Sequence, residues 1–402
     1  MKRVAMLMSG GVDSSVGAAL LKDQGYEVLG FYILGWLGTP EFPCPWQEEE
    51  KDARAVAEVL GIPFHTVNLS IVYEEEVIDR FFALYQAGVT PNPDILCNRE
   101  IKFKALWQAI RQFECDYIAT GHYARLQRQL SVNSYQLSKS KIEKLETENL
   151  LKTENWKLKT ASHPAIFKSR DENKDQTYFL WGVDRTMLDK IIFPLGELTK
   201  PEVRKLAKKY LLPTATKKDS QGICFVGPLK VRQFLSSRVE TAPGEVFLTD
   251  GRKIATHQGV ELYTIGQRLS AGSVDWTGDV PPLFVIAKDI KNNRLIVGSD
   301  AATFGIKLVA GSINWMSEPS DRLFECLAKI RYRQKDEAVH VHKNGSKLSV
   351  EFATPVRALT AGQSIVFYSK QGQLLGGAII ELIPNQNETV KRLTKTFRKT
   401  KV

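Results

Sequence analysis

Eight residues near the start, Met8-Ser9-Gly10-Gly11-Val12-Asp13-Ser14-Ser15, constrain this chain more than any other stretch. They follow an apolar run, Val4-Ala5-Met6-Leu7, and lead into Val16-Gly17-Ala18-Ala19-Leu20-Leu21, a helical pattern. Strand, glycine turn and helix N-terminus in that order make a cradle for an anion. The glycines let the backbone approach the ligand, the first amides of the helix point at it, and the helix dipole favours negative charge there. No Gly-Lys-Ser/Thr follows, so this is not a Walker loop, and the glycine spacing of a dinucleotide fingerprint is missing. A bare chain reversal would need neither the serines nor Asp13.

The length of 402 residues predicts two or three domains with ample buried cores. Hydrophobic content of 43% and charged content of 25% are those of an ordinary globular protein. A net charge of +10 favours a polyanionic partner, nucleic acid before membrane. The five cysteines, Cys44, Cys97, Cys115, Cys224 and Cys326, are scattered, odd in number and free of CxxC pairs. That argues against a secreted disulfide framework and leaves a structural zinc or iron–sulfur site little support. No leader pattern precedes the first strand, and no apolar run approaches the roughly 18 residues of a membrane span. The expectation is a cytoplasmic protein without a membrane partner.

Up to about residue 225 strands and helices alternate. Residues 26–33 read as a strand; in 47–60, Ala53, Val56, Ala57 and Leu60 share one helical face that Gly61 terminates. Residues 62–69 and 116–120 read as further strands, and Thr199-Lys200-Pro201-Glu202 is a capping box opening a basic helix through Tyr210. This alternation predicts a mainly parallel sheet with ligands at the carboxyl ends of its strands. The phosphate loop and Gly121-His122-Tyr123 both fall at such ends. Residues 129–164, with their charged near-repeats of Thr-Glu-Asn, read as a mobile low-complexity insertion. From about residue 242 the period becomes two. Hairpins are expected at Asp250-Gly251 and at Asn344-Gly345, and alternation in 349–352 and 364–368 predicts a C-terminal antiparallel β-barrel. His340 and His342 read as a polar outer strand face. The expected units are 1–225, 226–303, 304–385 and a basic tail, 386–402, in which Lys391–Val402, with six Lys/Arg in twelve residues, reads as a disordered, RNA-attracting arm or as a solvated end.

Two thiols stand out. In Pro91-Asn92-Pro93-Asp94-Ile95-Leu96-Cys97-Asn98, paired prolines fix the entry to a helix on which Asp94 and Cys97, three apart, share a face. The pair reads either as an acid/base beside a sulfur nucleophile or as an N-cap beside a buried cysteine. Cys224 lies in Lys217-Lys218-Asp219-Ser220-Gln221-Gly222-Ile223-Cys224-Phe225, and reads either as a thiol whose pKa the lysines would lower or as a free cysteine under a hydrophobic loop. The Ser-Gly-Gly-x-Asp-Ser loop resembles the pyrophosphate loop of enzymes that split ATP, and two thiols beside such a loop fit one scheme. Adenylation turns a carbonyl oxygen into a leaving group, a persulfide sulfur replaces it, and the second thiol frees that sulfur by forming a disulfide.

The chain closely resembles the tRNA-specific 2-thiouridylases. The resemblance runs from the Ser-Gly-Gly-x-Asp-Ser loop, typical of enzymes that split ATP between its α and β phosphates, through TPNPDILCNREIKF, DYIATGHYAR, DENKDQTYFL, FPLGELTKPEVRKLA, TKKDSQGICFVG, THQGVELYTIGQR and RYRQ to LLGGAIIE. It implies an α/β pyrophosphate-loop domain with a parallel sheet, a small central domain contacting tRNA, and the C-terminal β-barrel. It implies sulfur transfer to the wobble uridine of tRNA, using ATP with Mg²⁺ and a persulfide on Cys224. A cysteine desulfurase or relay protein would supply the sulfur, and the chain is expected to act as a monomer.

By position, Leu7, Met8, Ser9, Gly10, Gly11, Val12, Asp13, Ser14, Ile33 and Gly121 would hold ATP. Asn92, Pro93 and Asp94 would face the target base, with Asp94 as acid/base and Cys97 as nucleophile. His122, Lys174, Asp175, Gln176, Arg331, Tyr332 and Gln363 match tRNA-contact positions. Arg204, Arg333 and the basic helix suit RNA phosphates, and a flipped base would enter beside Asp94. No resident metal site is expected. The chain departs from the family at Leu269-Ser270-Ala271-Gly272-Ser273, where a glycine-rich loop is usual. Three rivals share parts of this pattern: a ligase such as argininosuccinate or GMP synthetase that attacks with nitrogen, a 4-thiouridine synthetase, and a catalytically dead RNA-binding protein.

Overall fold

The computed structural model describes residues 1–128, 164–219, 231–269 and 282–399. Residues 129–163 of the insertion read over 129–164, Cys224 and residues 270–281 lie outside the described residues, whereas Pro164 already begins a strand.

The N-terminal part is a five-stranded sheet in the order β3-β2-β1-β4-β7, every neighbouring pair parallel. Its strands are β1 (Arg3–Leu7), β2 (Glu27–Leu34), β3 (Phe64–Asn68), β4 (Tyr117–Ala119) and β7 (Ile191–Ile192), with the hairpin β5 (Ala124–Arg128) and β6 (Pro164–Lys168) between the last two. Both faces are covered, and β1 shows it residue by residue. Val4 and Met6 pack with Val16, Ala19 and Val203 on one side, whereas Ala5 and Leu7 pack with Phe31 and Ile118 on the other. Helix α1 (Val12–Asp23) follows the phosphate loop, and α2 (Trp46–Leu60) buries the expected face, Ala53, Val56, Ala57 and Leu60. Gly61 closes α2 at φ 62°, a left-handed cap. Because β1 lies between β2 and β4, the strand order reverses there, and the crevice outside those strand ends is the natural ligand position.

The helix entered through Asn92 and Pro93 is not uniformly α. Pro93–Leu96 is an α-turn, Cys97–Ala105 is π-helical, and Leu106–Ala109 returns to α. A π-stretch opening at Cys97 places an irregular backbone at the thiol expected to act as nucleophile.

The central domain is a four-stranded sheet ordered β10-β11-β8-β9, from β8 (Gly244–Leu248), β9 (Lys253–His257), β10 (Phe284–Asp289) and β11 (Arg294–Gly298). The C-terminal strands β12 (Phe304–Trp315), β13 (Leu323–Lys329), β14 (Glu337–Asn344), β15 (Lys347–Arg357), β16 (Ser364–Tyr368) and β17 (Leu374–Leu382) close a barrel through β12-β15-β14-β13-β16-β17. Val339 and Val341 point into the barrel and His340 points out, 3.4 Å from Glu325.

One expectation is overturned. Within the described residues the basic end of the chain is not a disordered arm: Pro384–Lys399 is a helix, with Leu393 buried against Ala287 and Ile296 and Gln386 donating to the Leu359 carbonyl at 2.8 Å. A charged stretch anchored by one leucine carries too narrow an apolar stripe to read as a packed helix. Its partners lie a hundred residues away.

The barrel is locked to the N-terminal domain by buried polar contacts. The single Tyr178 hydroxyl proton is shared between the Ile330 carbonyl at 2.9 Å and the Ser364 carbonyl at 3.0 Å. Tyr178→Phe strands these acceptors without changing volume. It is expected to lower unfolding free energy by about 1–3 kcal/mol, measurable by urea denaturation, and a change below ~0.5 kcal/mol would mean water replaces the hydroxyl.

Candidate active site

The phosphate loop is shaped by backbone constraints. Gly10 has φ +69°, and a Cβ there would stand 2.3 Å from the Glu49 carbonyl oxygen, so neither the conformation nor the space admits a side chain. Gly121, just after β4, approaches so closely that a Cβ would lie 2.8 Å from the Ser14 nitrogen. The Ser14 hydroxyl donates to the Gly11 carbonyl (3.1 Å) and accepts from the Ser9 amide (3.2 Å), folding the loop on itself. Ser15 also donates to Gly11 (2.7 Å) and accepts from Thr214 (3.0 Å). No side chain caps α1, so its first-turn amides are left to the concavity. Leu7, Met8, Val12 and Ile33 are buried, and contribute backbone and packing rather than exposed side chains.

Asp13 is the electrostatic centre. Lys200 reaches its two oxygens at 2.7 and 2.8 Å, and the Tyr123 hydroxyl donates to it at 2.8 Å. Burial first, then the charge of Asp13, push the Tyr123 phenol far up, so it stays a donor. Lys200 also pairs with Asp219 (2.7 Å), which collects Lys174 (2.6 Å) and Arg204 (2.7 Å) as well. Burial would raise the Asp219 carboxyl, but hydrogen bonds from Lys174 and Lys200 outweigh it and hold the group down at about 2.

The sequence reading missed Lys200, Tyr123 and Asp219 as site residues. One signal was available: a lysine at the first position of a helix opposes the macrodipole, and such a cation needs a nearby anion. The capping box around it is formed as expected, by Thr199 and Glu202.

The second half of the site is the segment carrying Asp94 and Cys97. Asn92 caps it by accepting the Asp94 amide at 3.2 Å, and Pro93 holds the first helical position. Gln363 of the barrel donates to the carbonyls of Thr90 (2.9 Å) and Pro91 (3.2 Å), and the Thr90 amide donates to Ala361 (3.2 Å). The barrel therefore fixes the approach to Asp94. Phe103, on the same helix, lies 6.3 Å from the His122 ring, which brings the helix to the carboxyl end of β4. Cys97 is fully buried.

Among the residues expected to meet RNA, His122 and Asp175 are buried, Asp175 at 4% exposure. His122 shares a 2.7 Å hydrogen bond with Thr120, and Asp175 accepts from Ser169 and Thr177. Lys174 and Tyr332 meet, with the Tyr332 hydroxyl 3.4 Å from the Lys174 carbonyl it donates to. Gln176 accepts from the Tyr123 amide at 2.9 Å, and Arg331 donates to the Ala358 carbonyl at 3.2 Å. Arg204 turns inward onto Ala215, Lys217 and Asp219, while Lys205, Lys208, Lys209 and Arg333 are exposed. Among the described residues no group of three His, Cys, Asp or Glu is arranged to hold a metal ion, and no helix is long and apolar enough to cross a membrane.

Burial holds His122 neutral, its pKa driven well below the ordinary value, and burial lowers His257 in the same direction. Below pH ~6.5 the unfolded chain binds protons that these rings refuse, so stability present above that pH is lost as pH falls. His122→Gln should flatten the stability slope between pH 6.5 and 5 by up to ~1.4 kcal/mol per pH unit, read from urea titrations. An unchanged slope would show that His122 protonates in place.

Three family models match the chain in order. They are a tRNA methyl transferase HUP domain over residues 2–228, a tRNA methyl transferase PRC-barrel domain over 232–299 and an aminomethyltransferase beta-barrel domain over 306–380. The tRNA-specific 2-thiouridylase MnmA of Streptococcus pyogenes strain NZ131 is 43% identical over 386 residues, covering 94% of this chain and 95% of that protein. Its counterpart in strain MGAS10750 is 42% identical with the same coverage, 94% and 95%. Among solved structures, the U34-tRNA thiolase NcsA from Methanococcus maripaludis covers 59% of this chain and 64% of its own at 18% identity and a TM-score of 0.32, a likeness too loose to assign anything. Identity sustained across nearly the whole of both chains, over three domains matched in order, shows that the chain belongs to the tRNA-specific 2-thiouridylase family.

Proposed function

We propose that this chain is an ATP-dependent tRNA-uridine 2-sulfurtransferase acting on the wobble uridine. The observation that carries the reading is the glycine cradle with Asp13 held between Lys200 and Tyr123, at the sheet end where the Cys97 helix packs. The family models' descriptions speak of methyl transfer, but a methyl transferase has no use for a pyrophosphate loop or for two motif-borne thiols.

The residues present fit a nucleotide: unoccupied helix amides, a cradle that admits no Cβ, and a cluster of cations at its rim. ATP supplies the adenylyl group that makes the uridine carbonyl oxygen a leaving group. Magnesium fits as an ion carried in on the phosphates, with Asp13 as its protein carboxylate, since Mg²⁺ is commonly held by one or two carboxylates plus substrate oxygens. Lys200 would then exchange Asp13 for phosphate oxygen.

The chain's own residues do the sulfur chemistry. A desulfurase or relay protein loads Cys224 as a persulfide. Its outer sulfur attacks the activated carbon, and the carbon–oxygen bond breaks with its electrons leaving on AMP. Asp94 accepts the proton of Cys97, whose thiolate attacks the inner sulfur on Cys224. The sulfur–sulfur bond breaks toward the transferred atom, leaving thiouridine and a Cys97–Cys224 disulfide that an external dithiol reduces. Cys97 has zero exposure at rest, so RNA binding has to uncover it first.

Incubation with bulk tRNA, Mg-ATP, cysteine and a desulfurase, followed by a mercury-containing gel, tests the reading. Wild type should retard tRNA and Cys224→Ser should not, while still binding tRNA. Retardation by Cys224→Ser would refute the persulfide role. Asp13→Ala should lose AMP release by at least tenfold, and an unchanged rate would refute its part in adenylation. With about six phosphates neutralised, log Kd should change with log salt at a slope near 5 in magnitude. A flat response would remove the electrostatic part of the reading.

A further inference from the structure

Three consecutive residues, Lys174, Asp175 and Gln176, reach into three different parts of the molecule. Lys174 pairs with Asp219 at 2.6 Å, beside Lys200 and Asp13. Gln176 is joined to Tyr123 by two hydrogen bonds of 2.9 Å, its amide to the Tyr123 carbonyl and its side-chain oxygen to the Tyr123 amide. Asp175 points the other way, into the barrel wall, where Lys329 approaches its carboxylate at 3.4 Å. Both side chains of that pair are almost fully buried, at 6% and 4% exposure. Lys329 also lies over the Tyr368 ring, 5.3 Å from its centre.

We infer that Lys329 is a positioning residue for the nucleotide site, acting through Asp175, Gln176 and Tyr123 to aim the Tyr123 hydroxyl at Asp13. The reasoning is electrostatic. A buried carboxylate that loses its cation is strongly destabilised and moves toward water or another cation. Asp175 is followed directly by Gln176, so its displacement pulls on the two hydrogen bonds that hold Tyr123. The Tyr123 hydroxyl, 2.8 Å from Asp13, is the far end of that chain. The barrel thereby reaches the phosphate loop through the 174–176 turn and Tyr123. Removing the charge from Asp175 removes the reason to move, so neutralising both partners restores the turn.

The inference rests on the reading of the loop as an ATP site, and the test separates the two. Mg-ATP binding to the full chain without tRNA is measured by calorimetry for wild type, Lys329→Met, Asp175→Asn with Lys329→Met, and Tyr123→Phe. Lys329→Met should weaken Mg-ATP binding about tenfold, and the double variant should return to within about threefold of wild type. Tyr123→Phe should match Lys329→Met, and combining the two should add nothing further. Equal Mg-ATP affinity in folded Lys329→Met, or a double variant no better than Lys329→Met, overturns the inference. If Lys329→Met fails to fold, full affinity in Tyr123→Phe overturns it instead. Failure of wild type itself to bind Mg-ATP would refute the ATP-site reading, a separate result.

Discussion

A lysine at the first turn of a helix is in the wrong place unless something negative waits for it, and here two carboxylates do. Lys200 binds Asp13 from the phosphate loop and Asp219 from the stretch that leads toward the second thiol. Its backbone amide donates to Asp171 at 2.8 Å, so the residue is held at both ends. Without that lysine, Asp13 and Asp219 would face each other across a site built to attract negative charge. With it, Asp219 stays ionised at any physiological pH, and Lys174, Lys200 and Arg204 converge on one spot. A polyphosphate would meet cations assembled in advance, and such preorganisation is what makes electrostatic stabilisation effective.

The barrel serves that site from outside. Its loop before β16 grips Thr90 and Pro91, which fixes the direction in which the Asn92-Pro93-Asp94 entry runs. The turn at 360–363 lies too close to Val89 and Thr90 for anything but Gly362, whose added Cβ would fall 2.2 Å from the Val89 side chain. Hydrophobic burial joins the domains, since Tyr178, Trp181, Val366 and Tyr368 belong to one cluster. Burial alone would allow the surfaces to slide. Directional contacts such as those of Tyr178 and Gln363 select one register, because each broken bond strands a buried carbonyl.

Much of this fold was legible because period and position agreed. The apolar run of β1, the apolar face of α2 ended by Gly61, the capping box at Thr199 and the hairpin at Asp250-Gly251 are local signals, and all appear in the structure. The phosphate loop was legible for the same reason. The π-helical turns at Glu74–Asp79 and Cys97–Ala105 were not, since neither a period of 2 nor one of 3.6 describes them. The terminal helix was hidden because its anchors, Ala287 and Ile296, belong to distant strands. The burial of His122 and Asp175 was hidden for a related reason. Charge and hydrogen-bonding capacity are written in a residue, but enclosure is a property of the neighbours that folding brings.

That enclosure bears on how sulfur chemistry is kept in order. A thiolate exposed at all times reacts with oxidants and with other thiols. In this chain Cys97 is sealed at rest, whereas Asp13 retains about a third of its side-chain exposure, at 31%. The anion site is therefore reachable while the Cys97 thiol is not. The helix that carries Cys97 is pinned at its entry by the barrel and, through Phe103 and His122, leans on the loop that borders the phosphate cradle. Anything that uncovers the thiol has to act on these contacts. RNA drawn to Arg333 on the barrel and to Lys205, Lys208 and Lys209 on the basic helix would touch both sides of that arrangement at once. In the proposed mechanism, substrate binding and exposure of the Cys97 thiol would then become one event, and sulfur would be released only where a target base is present to receive it.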